Sequence, residues 1–201
     1  MSYIIYGTGK FSEVLFDEIN INNKNVSAFT LEDNLINSEN YLDKPLLPFS
    51  EVEKMYNPLE FELIIAILYQ EKNQLREKYF LEGLKKGYPM NGFVSNQANV
   101  SKKAIIGKNN IVLSGNLIQT GVQIGDNNIF WNSNHIGHHS EIQNNCFFSS
   151  HVVLSGNCKV GNNAFFGVNS TVIDNTMIED FSLIGAGATV KTNTKKNEVV
   201  K

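Results

Sequence analysis

An apolar residue recurs at every sixth position from Val94 to Val190, with seventeen matches in seventeen positions. This period fits neither an α-helix nor an alternating β-strand, and chance is a poor explanation in a chain that is 42% hydrophobic. The residue two places before each match is usually small or short and polar, and a glycine often follows it. The pattern is the hexapeptide repeat of a left-handed parallel β-helix, in which about three hexads complete a turn and residues about 18 apart stack.

The onset of the repeat divides the chain into two parts. Residues 1–92 are predicted to form a small Rossmann-like α/β domain, and residues 93–201 an all-β, left-handed β-helix. The formal net charge of -3 gives no electrostatic reason to expect nucleic acid or an anionic membrane as a partner. We also expect no signal peptide and no membrane-spanning segment, because the first residues contain only a short apolar run.

The two cysteines are predicted to be buried and reduced. Cys146 and Cys158 both occupy the small, inward-facing position of a hexad, but they are two hexads apart and therefore on different faces of the coil. Unpaired, buried thiols indicate a cytoplasmic protein.

A glycine-rich loop follows the first predicted strand, Ser2 to Tyr6. The helix that runs through Ile19 begins at the sequence Gly7-Thr8-Gly9-Lys10-Phe11-Ser12. In such a loop the first glycine makes the tight turn, the second lets a phosphate approach the backbone, and a small third residue permits close helix packing. The alternative is that the glycines only make a turn in a small α/β domain.

Acidic residues follow the second predicted strand, Val26 to Thr30. Glu32 and Asp33 are placed to accept hydrogen bonds from ribose hydroxyls. Three further elements are predicted, near Leu46 to Phe49, from Leu63 to Leu68 and from Lys72 to Lys86. Roughly half of a dinucleotide-binding fold is therefore present, which favours a mononucleotide or a nucleotide sugar over NAD.

Three of the four histidines lie within five residues at the middle of the repeat. His135, His138 and His139 surround the inward-facing Ile136, so we expect side chains on the outer surface of the coil. A neutral histidine can accept a proton from an attacking amine or hydroxyl near physiological pH. A metal site shared between subunits and unused surface histidines are the alternatives. The metal site is disfavoured because no carboxylate or further histidine recurs one coil above.

Five segments carry a resemblance to a known family: Gly7-Thr8-Gly9, Asn73-Gln74-Leu75-Arg76, Asn134 to His139, Ser149 to Gly156 and Leu183 to Ala188. They resemble the hexapeptide acyltransferases of the sialic acid O-acetyltransferase type, which include bacterial nucleotide-sugar N-acetyltransferases for 4-amino-4,6-dideoxy sugars. The hexads alone are common to many acyltransferases, whereas their combination with a short nucleotide-binding domain is more specific. The resemblance covers nearly the whole chain.

The resemblance implies a homotrimer that uses acetyl-CoA, bound in the groove between adjacent β-helices. His138 is the implied catalytic base, and the backbone N–H of Gly156, about one coil above it, is the implied donor to the thioester oxygen. The implied contacts to acetyl-CoA are Gly156, Gly167, Val168, Ala186, Gly187 and Lys191. The candidate substrate-binding residues are Gly7, Thr8, Gly9, Glu32, Asp33, Asn73 and Arg76.

The chain departs from the family pattern at two positions. Relatives often carry an acid directly after the catalytic histidine, where this chain has His139, so His139, Glu141 or a main-chain carbonyl is a candidate for orienting His138. Some relatives have a second histidine nine residues after the first, where this chain has Phe147. A role for that second histidine in positioning the acetyl group therefore does not carry over.

The predicted function is acetyl-CoA-dependent N-acetylation of a nucleotide-linked 4-amino-4,6-dideoxy sugar, by direct transfer in a ternary complex without a metal. Its product is expected to enter glycan or lipopolysaccharide biosynthesis. The alternatives are O-acetylation of a sugar or sialic acid hydroxyl, a non-catalytic trimeric sugar-binding protein, and a zinc lyase or hydratase of γ-carbonic-anhydrase architecture. The nucleotide, which is UDP, TDP or GDP, stays open.

Overall fold

The computed structural model of the chain describes residues 1–201. Its first part contains a sheet of five strands: β1 (Ser2–Tyr6), β2 (Val26–Leu31), β3 (Asn40–Tyr41), β4 (Lys44–Pro48) and β5 (Phe61–Ile65). The strand order is β3-β4-β2-β1-β5, and all neighbours are parallel except β3 and β4. The continuous apolar runs of β1 and β5 suit a parallel sheet that is covered on both sides.

Three α-helices accompany this sheet: α1 (Lys10–Ile21), α2 (Val52–Met55) and α3 (Gln74–Lys85). Short 3-10 turns lie at Asp33–Leu35 and Gln70–Asn73. The sequence predicts the last helix from Lys72, but α3 begins at Gln74 because residues 71–73 have left-handed backbone angles, with φ of 50°, 53° and 67°. None of the three helices has the length and apolar character needed to cross a membrane.

From Phe93 onward the chain winds into a parallel β-helix with three faces. Face 1 contains β6 (Phe93–Val94), β9 (Ile111–Val112), β12 (Ile129–Phe130), β15 (Phe147–Phe148), β18 (Phe165–Phe166), β21 (Leu183–Ile184) and β23 (Val199–Val200). Face 2 contains β7 (Asn99–Val100), β10 (Leu117–Ile118), β13 (His135–Ile136), β16 (Val153–Leu154), β19 (Thr171–Val172) and β22 (Thr189–Val190). Face 3 contains β8 (Ile105–Ile106), β11 (Gln123–Ile124), β14 (Glu141–Ile142), β17 (Lys159–Val160) and β20 (Met177–Ile178).

The predicted stacking is confirmed by the register of these strands. His135 pairs with Val153 and Glu141 with Lys159, each 18 residues further along. The regular short strands and their parallel pairing fit the left-handed form of the β-helix.

The predicted apolar positions fill the interior of the coil. They form one buried cluster that includes Ile136, Ile142 and Leu154. On face 1, the rings of Phe130, Phe148 and Phe166 stack with centroid distances of 4.7 and 4.3 Å. Because each buried side chain of this size contributes about 1.5–3 kcal/mol of transfer free energy, the repeat stabilises every coil in the same way.

Three corners join the faces. Corner I leads from face 1 to face 2 and includes residues 131–134, 149–152, 167–170 and 185–188; corner II leads from face 2 to face 3 and includes residues 137–140 and 155–158. Corner III leads from face 3 back to face 1 and includes residues 107–110 and 125–128. Most coils have one left-handed residue at each corner, such as Asn127, Ser133 and His139, with φ of 62°, 63° and 56°.

The α/β region packs over face 1 of its own coil. The outward residues Ile111, Ile129 and Phe147 share one buried cluster with α1 and the sheet. At the corner I side, the rings of Phe11 and Trp131 stack with centroids 5.0 Å apart. Face 1 is therefore covered, with corners I and III at its two edges and corner II on the opposite side of the coil.

Candidate active site

The first candidate site is a cavity of about 480 Å³ at the carboxyl ends of β1, β2 and β5. Of the predicted substrate-binding residues, it is lined by Gly7, Thr8, Gly9 and Glu32. Apolar side chains from β2, α1 and α3 form much of the remaining wall. Open α/β sheets bind ligands at this edge, so its position agrees with the function predicted for the glycine-rich loop.

The two glycines of the loop have different surroundings. Gly7 has a φ of 121°, and a Cβ there would meet the carbonyl oxygen of Ala66 at 3.0 Å and Ser12 Oγ at 3.1 Å. Gly7 is therefore needed for the turn and for close packing of α1. A Cβ on Gly9 would meet nothing within 4 Å, so this position faces open space at the start of α1.

The first turn of α1 presents unused backbone donors to this space. The carbonyl of Gly9 accepts hydrogen bonds from the amides of Ser12 and Glu13, whereas the amides of Lys10 and Phe11 donate to no acceptor in the chain. Free amides and the positive end of the helix dipole attract anions. The loop is therefore suited to a phosphate or diphosphate group.

Glu32 supplies a negative charge on the wall of the cavity. Hydrogen bonds from Tyr79 and Lys78 lower the pKa of the Glu32 carboxyl, and the Lys78 Nζ lies 3.3 Å from Oε1. The Tyr79 ring stacks on Tyr6 with centroids 4.2 Å apart, and burial raises the pKa of the Tyr6 hydroxyl. Glu32 is therefore an ionised acceptor held beside two aromatic rings.

Asp33 does not line the cavity, although the sequence places it beside Glu32. Its carboxylate accepts hydrogen bonds from the backbone N and the Oγ of Ser50, at 3.2 and 2.5 Å. These bonds also lower the pKa of the Asp33 carboxyl. Asp33 thus stabilises the connection between β4 and α2 and lines a space beside the cavity together with Glu32 and Tyr79, and its predicted substrate contact stays a prediction.

Asn73 and Arg76 are corrections to the predicted substrate-binding set. Both are buried between α3 and the coil, with exposures of 1% and 0%. The Nη2 of Arg76 donates to the carbonyl oxygens of Asn109 and Asn128 at corner III, at 3.0 and 3.3 Å. No carboxylate pairs with this guanidinium, and burial lowers the pKa of Arg76 to about 9. Arg76 therefore joins the α/β region to the coil and does not reach the cavity.

The second candidate site is the exposed His138 at corner II. Gly156 lies one coil above, and a Cβ there would meet Cε1 and Nε2 of the His138 ring at 2.5 and 2.6 Å. Glycine at this position is therefore required for the imidazole to lie against the backbone. The amide of Gly156 donates to no acceptor in the chain, and the amide of His138 itself donates to Gln119 Oε1 at 2.9 Å.

His139 contacts His138 directly. The two Nδ1 atoms are 3.2 Å apart and the ring planes are inclined by 73°. Gly121, one coil below, leaves room for His139, because a Cβ there would meet Cδ2 of its ring at 2.7 Å. Glu141 makes no hydrogen bond or ion pair with either ring. Of the candidates for orienting His138, only His139 makes side-chain contact.

The predicted acetyl-CoA contacts fall on two different corners. Gly156 and Lys191 follow face 2 and lie with His138 at corner II. The other four follow face 1 and lie at corner I: Gly167, Val168, Ala186 and Gly187. Gly167 is also constrained by packing, since a Cβ there would meet the backbone N of Ala186 at 2.5 Å. One copy of the chain does not bring the two sets together.

The remaining histidines and the cysteines lie apart from His138. His135 projects from face 2 and His151 lies at corner I. Cys146 and Cys158 are buried and unpaired, as predicted, and burial raises the pKa of the Cys146 thiol to about 12. No group of three or more His, Cys, Asp or Glu side chains is arranged to hold a metal ion.

The sequence interpretation missed an apolar cleft of about 230 Å³ between the cavity and corner I. It is lined by Leu68, Tyr69, Trp131, Phe147, Ser149, Ser150, Phe165 and Val168. Leu68 also lines the cavity, so the two spaces adjoin. The sequence does contain a pattern that indicates an apolar surface here. The outward position of face 1 is apolar in every coil from Phe93 to Leu183, whereas the outward position of face 3 is not.

The whole chain is similar to several solved structures. A variant of perosamine N-acetyltransferase from Caulobacter crescentus, in complex with CoA and GDP-perosamine, has a TM-score of 0.90 at 21% identity over 100% of this chain and 96% of that chain. The acetyltransferase domain of PglB from Neisseria gonorrhoeae, in complex with acetyl coenzyme A, has a TM-score of 0.89 at 18% identity over 100% and 98%. WeeI from Acinetobacter baumannii has a TM-score of 0.73 at 17% identity over 99% and 95%.

At these identities the likeness establishes the fold, and it confirms a parallel β-helix behind an N-terminal α/β region. No protein-family model and no curated protein matches the chain. Because one fold supports many activities, function is inferred from the geometry of the two candidate sites, with the similar structures as support.

Proposed function

We propose that the chain is an acetyl-CoA-dependent N-acetyltransferase that acts on a nucleotide-linked 4-amino-4,6-dideoxy sugar. The observation that carries the proposal is the His138 ring packed beside the unused Gly156 amide on the β-helix, in a chain whose α/β region holds a ligand-sized cavity. Two similar structures hold the corresponding molecules, CoA with GDP-perosamine in one and acetyl coenzyme A in the other.

The α/β region acts as a Rossmann-like half that binds the nucleotide. The free amides of Lys10 and Phe11 receive the diphosphate, and the open space at Gly9 allows its approach. Glu32 accepts hydrogen bonds from ribose hydroxyls or base N–H groups. The sugar then extends from the cavity toward the adjoining apolar cleft at corner I.

Transfer of the acetyl group needs a base and a donor to the developing oxyanion. The sugar amine attacks the thioester carbonyl carbon while Nε2 of His138 accepts the amine proton. The amide of Gly156 donates to the carbonyl oxygen as negative charge develops there. The C–N bond forms, the C–S bond breaks, and the leaving CoA thiolate takes the proton from His138. Both cysteines are buried, so an acyl-enzyme has no accessible thiol.

The complete site needs a second copy of the chain. The cavity lies over face 1, whereas His138 lies at corner II on the far side of the same coil. Three exposed apolar side chains are suitable for contact with another copy: Val168 at corner I, Val153 on face 2 and Ile173 at corner II. A homotrimer in which corner II of one copy meets corner I of the next unites the two sets of acetyl-CoA residues. Acetyl-CoA as co-substrate and two buried thiols favour a cytoplasmic location.

The proposed activity is tested by thiol release from acetyl-CoA over a panel of UDP-, TDP- and GDP-linked 4-amino sugars, with mass spectrometry of the product. We expect a gain of one acetyl group on the amine of one member, and no reaction with its 4-hydroxy counterpart. A chelator is expected to leave the rate unchanged. Acetylation of only the hydroxyl sugar would support O-acetylation instead, and no thiol release with any member would contradict the proposal.

The shared site is tested by mixing two defective variants. His138→Ala removes the base at corner II, and Gly9→Val obstructs the nucleotide loop. The assay uses a nucleotide-sugar concentration well below the KM expected for Gly9→Val, where each variant alone has little activity. If each site combines the two regions from different copies, co-expressed variants regain activity in about a quarter of their sites. An absence of recovery in verified mixed oligomers would show that one copy supplies both regions.

A further inference from the structure

We propose that His139 is a positioning residue, a neutral imidazole whose Nδ1 accepts the Nδ1 proton of His138 and so leaves Nε2 of His138 free to act as the base. This inference rests on the proposed function, because it specifies how the base is prepared. A functional histidine is usually oriented by a hydrogen bond to a carboxylate or a carbonyl. Here a second imidazole accepts that hydrogen bond.

The contact between the rings restricts their tautomers. With the two Nδ1 atoms 3.2 Å apart, a hydrogen bond requires a proton on one atom and a lone pair on the other. If His139 donated, the neutral His138 would carry its proton on Nε2 and could not accept another there. Only the arrangement with His138 as donor leaves the nitrogen beside Gly156 unprotonated.

The coils above and below hold this arrangement in place. A side chain at Gly156 would collide with the His138 ring, and one at Gly121 would collide with the His139 ring. The Gln119 side chain fixes the backbone of His138 from below. His139 occupies a left-handed corner, where the same position in other coils holds Gly121, Asn157 and Asn175. These positions show that asparagine suits the backbone there.

The groups facing the two rings are uncharged. The segment below contributes Gln119, Thr120 and Gly121, and the segment above contributes Ser155, Gly156 and Asn157. The carboxylates of Glu141, on the following face, and of Asp174, two coils above His138, make no hydrogen bond or ion pair with either histidine. The Lys159 side chain lies on face 3 beside Glu141.

A neutral partner changes how the base responds to pH. When His138 takes the proton from the amine, its Nδ1–H bond to a neutral acceptor becomes charge-assisted and stabilises the cation. A carboxylate would add a full negative charge and would keep His138 protonated to higher pH. Replacing the neutral acceptor by a carboxylate should therefore move the acid limb of the rate profile to higher pH.

The test compares three substitutions of His139 in the full-length protein. His139→Ala removes the acceptor and is expected to lower kcat by about tenfold to a hundredfold, with the KM for acetyl-CoA unchanged. His139→Asn keeps an acceptor on a residue suited to the left-handed corner, so it should restore kcat to within about threefold of wild type. His139→Asp should move the acid limb of the kcat profile to higher pH by about one unit or more.

Asn175→Ala is the matched control for the backbone, because Asn175 has a φ of 58° at the same corner position of a later coil. Its melting temperature should fall as much as that of His139→Ala, which separates loss of stability from loss of positioning. Equal kcat losses in His139→Ala and His139→Asn, or an unchanged acid limb in His139→Asp, would overturn the inference.

Nitrogen-15 NMR of labelled histidines gives a readout that does not depend on activity. We expect His138 protonated at Nδ1 and His139 protonated at Nε2 in the neutral pair. The reverse pattern would overturn the inference even in an active enzyme. The expected pattern in a protein that acetylates no amino sugar would support the pair while contradicting the proposed function.

Discussion

The β-helix is stabilised by contacts that repeat from coil to coil, whereas the α/β region is stabilised by contacts that each occur once. In the β-helix each interior residue meets a similar residue 18 positions away, as where the Phe148 ring stacks between Phe130 and Phe166. In the α/β region each contact is made once, as where Ser50 holds Asp33 or Arg76 reaches two carbonyls of the coil. The repeated contacts produce a sequence period, so the structure of the β-helix can be predicted from a single sequence. A contact that is made only once produces no such period.

The same difference explains where the two candidate sites lie. The repeat leaves the corners free to vary, so a histidine at a corner stands out against a background of glycine and asparagine. The cavity, in contrast, is formed by the ends of three strands and by two helices that are distant in sequence. A site on a regular scaffold is therefore easier to predict than a site between unlike elements.

The largest effect is expected from a charge inside the repeat. Ile142→Asp or Val160→Asp would bury an unpaired carboxylate in the coil, at positions that are 2% and 1% exposed. The expected loss of unfolding free energy exceeds about 4 kcal/mol, enough to prevent folding. Met177→Asp, an exposed outward position of face 3 opposite Lys159, is the control and should melt close to wild type. Normal melting of the interior variants would contradict the β-helix.

His138→Ala is expected to lower kcat by about 10² to 10⁴, or about 3–5 kcal/mol at the transition state, while acetyl-CoA still binds. The fold should be unaffected, because His138 is exposed at a corner. His135→Ala is the matched control on face 2 and should cost much less. Retention of more than about a tenth of wild-type kcat by His138→Ala would show that another group takes the proton.

The fold was predictable from the sequence to the extent that it repeats. The hexads define the coil, its interior and the stacking of Gly156 over His138, all of which the strand register and glycine contacts bear out. The start of α3 was not predictable, because residues 71–73 have left-handed backbone angles without a glycine to indicate them. The role of His138 in the reaction stays a prediction.

The site was less predictable, because position in the chain does not reveal burial between two regions. Arg76 and Asn73 belong to a segment that resembles a substrate-binding family, and their residue types suit a polar ligand. Only the packing of α3 on corner III shows that they face the coil. The contact of His139 with His138 also depends on the space left by Gly121, one coil away.

Arg76→Ala tests the correction to the substrate-binding set. Loss of the side chain leaves a buried gap and leaves the Asn109 carbonyl without its donor, whereas the Asn128 carbonyl still accepts from the amide of Ile111, so unfolding free energy should fall by about 2–4 kcal/mol. Arg76→Met fills the gap and should cost less. Both effects are measured by urea denaturation, with the KM for the nucleotide sugar determined in parallel. A KM raised tenfold or more with unchanged stability would return Arg76 to the substrate site.

Gly9→Val should have the smallest effect on the fold and a selective effect on the substrate. A Cβ at Gly9 would meet no protein atom within 4 Å, so the variant should melt close to wild type. It would project into the space in front of the free amides of α1, where the phosphates are proposed to bind. The KM for the nucleotide sugar should therefore rise by about tenfold or more, which corresponds to a loss of about 1.4 kcal/mol of binding free energy. The KM for acetyl-CoA should change little.

Gly7→Ala is the contrasting control for this prediction. A Cβ at Gly7 would press on the Ala66 carbonyl and on Ser12, and a φ of 121° is unfavourable for any residue with a side chain. This variant should lose stability by about 1–3 kcal/mol. The two glycines would then separate a binding role from a folding role within one loop. If Gly9→Val leaves both KM values at wild type, the loop only makes a turn, and the nucleotide must bind elsewhere on the α/β region.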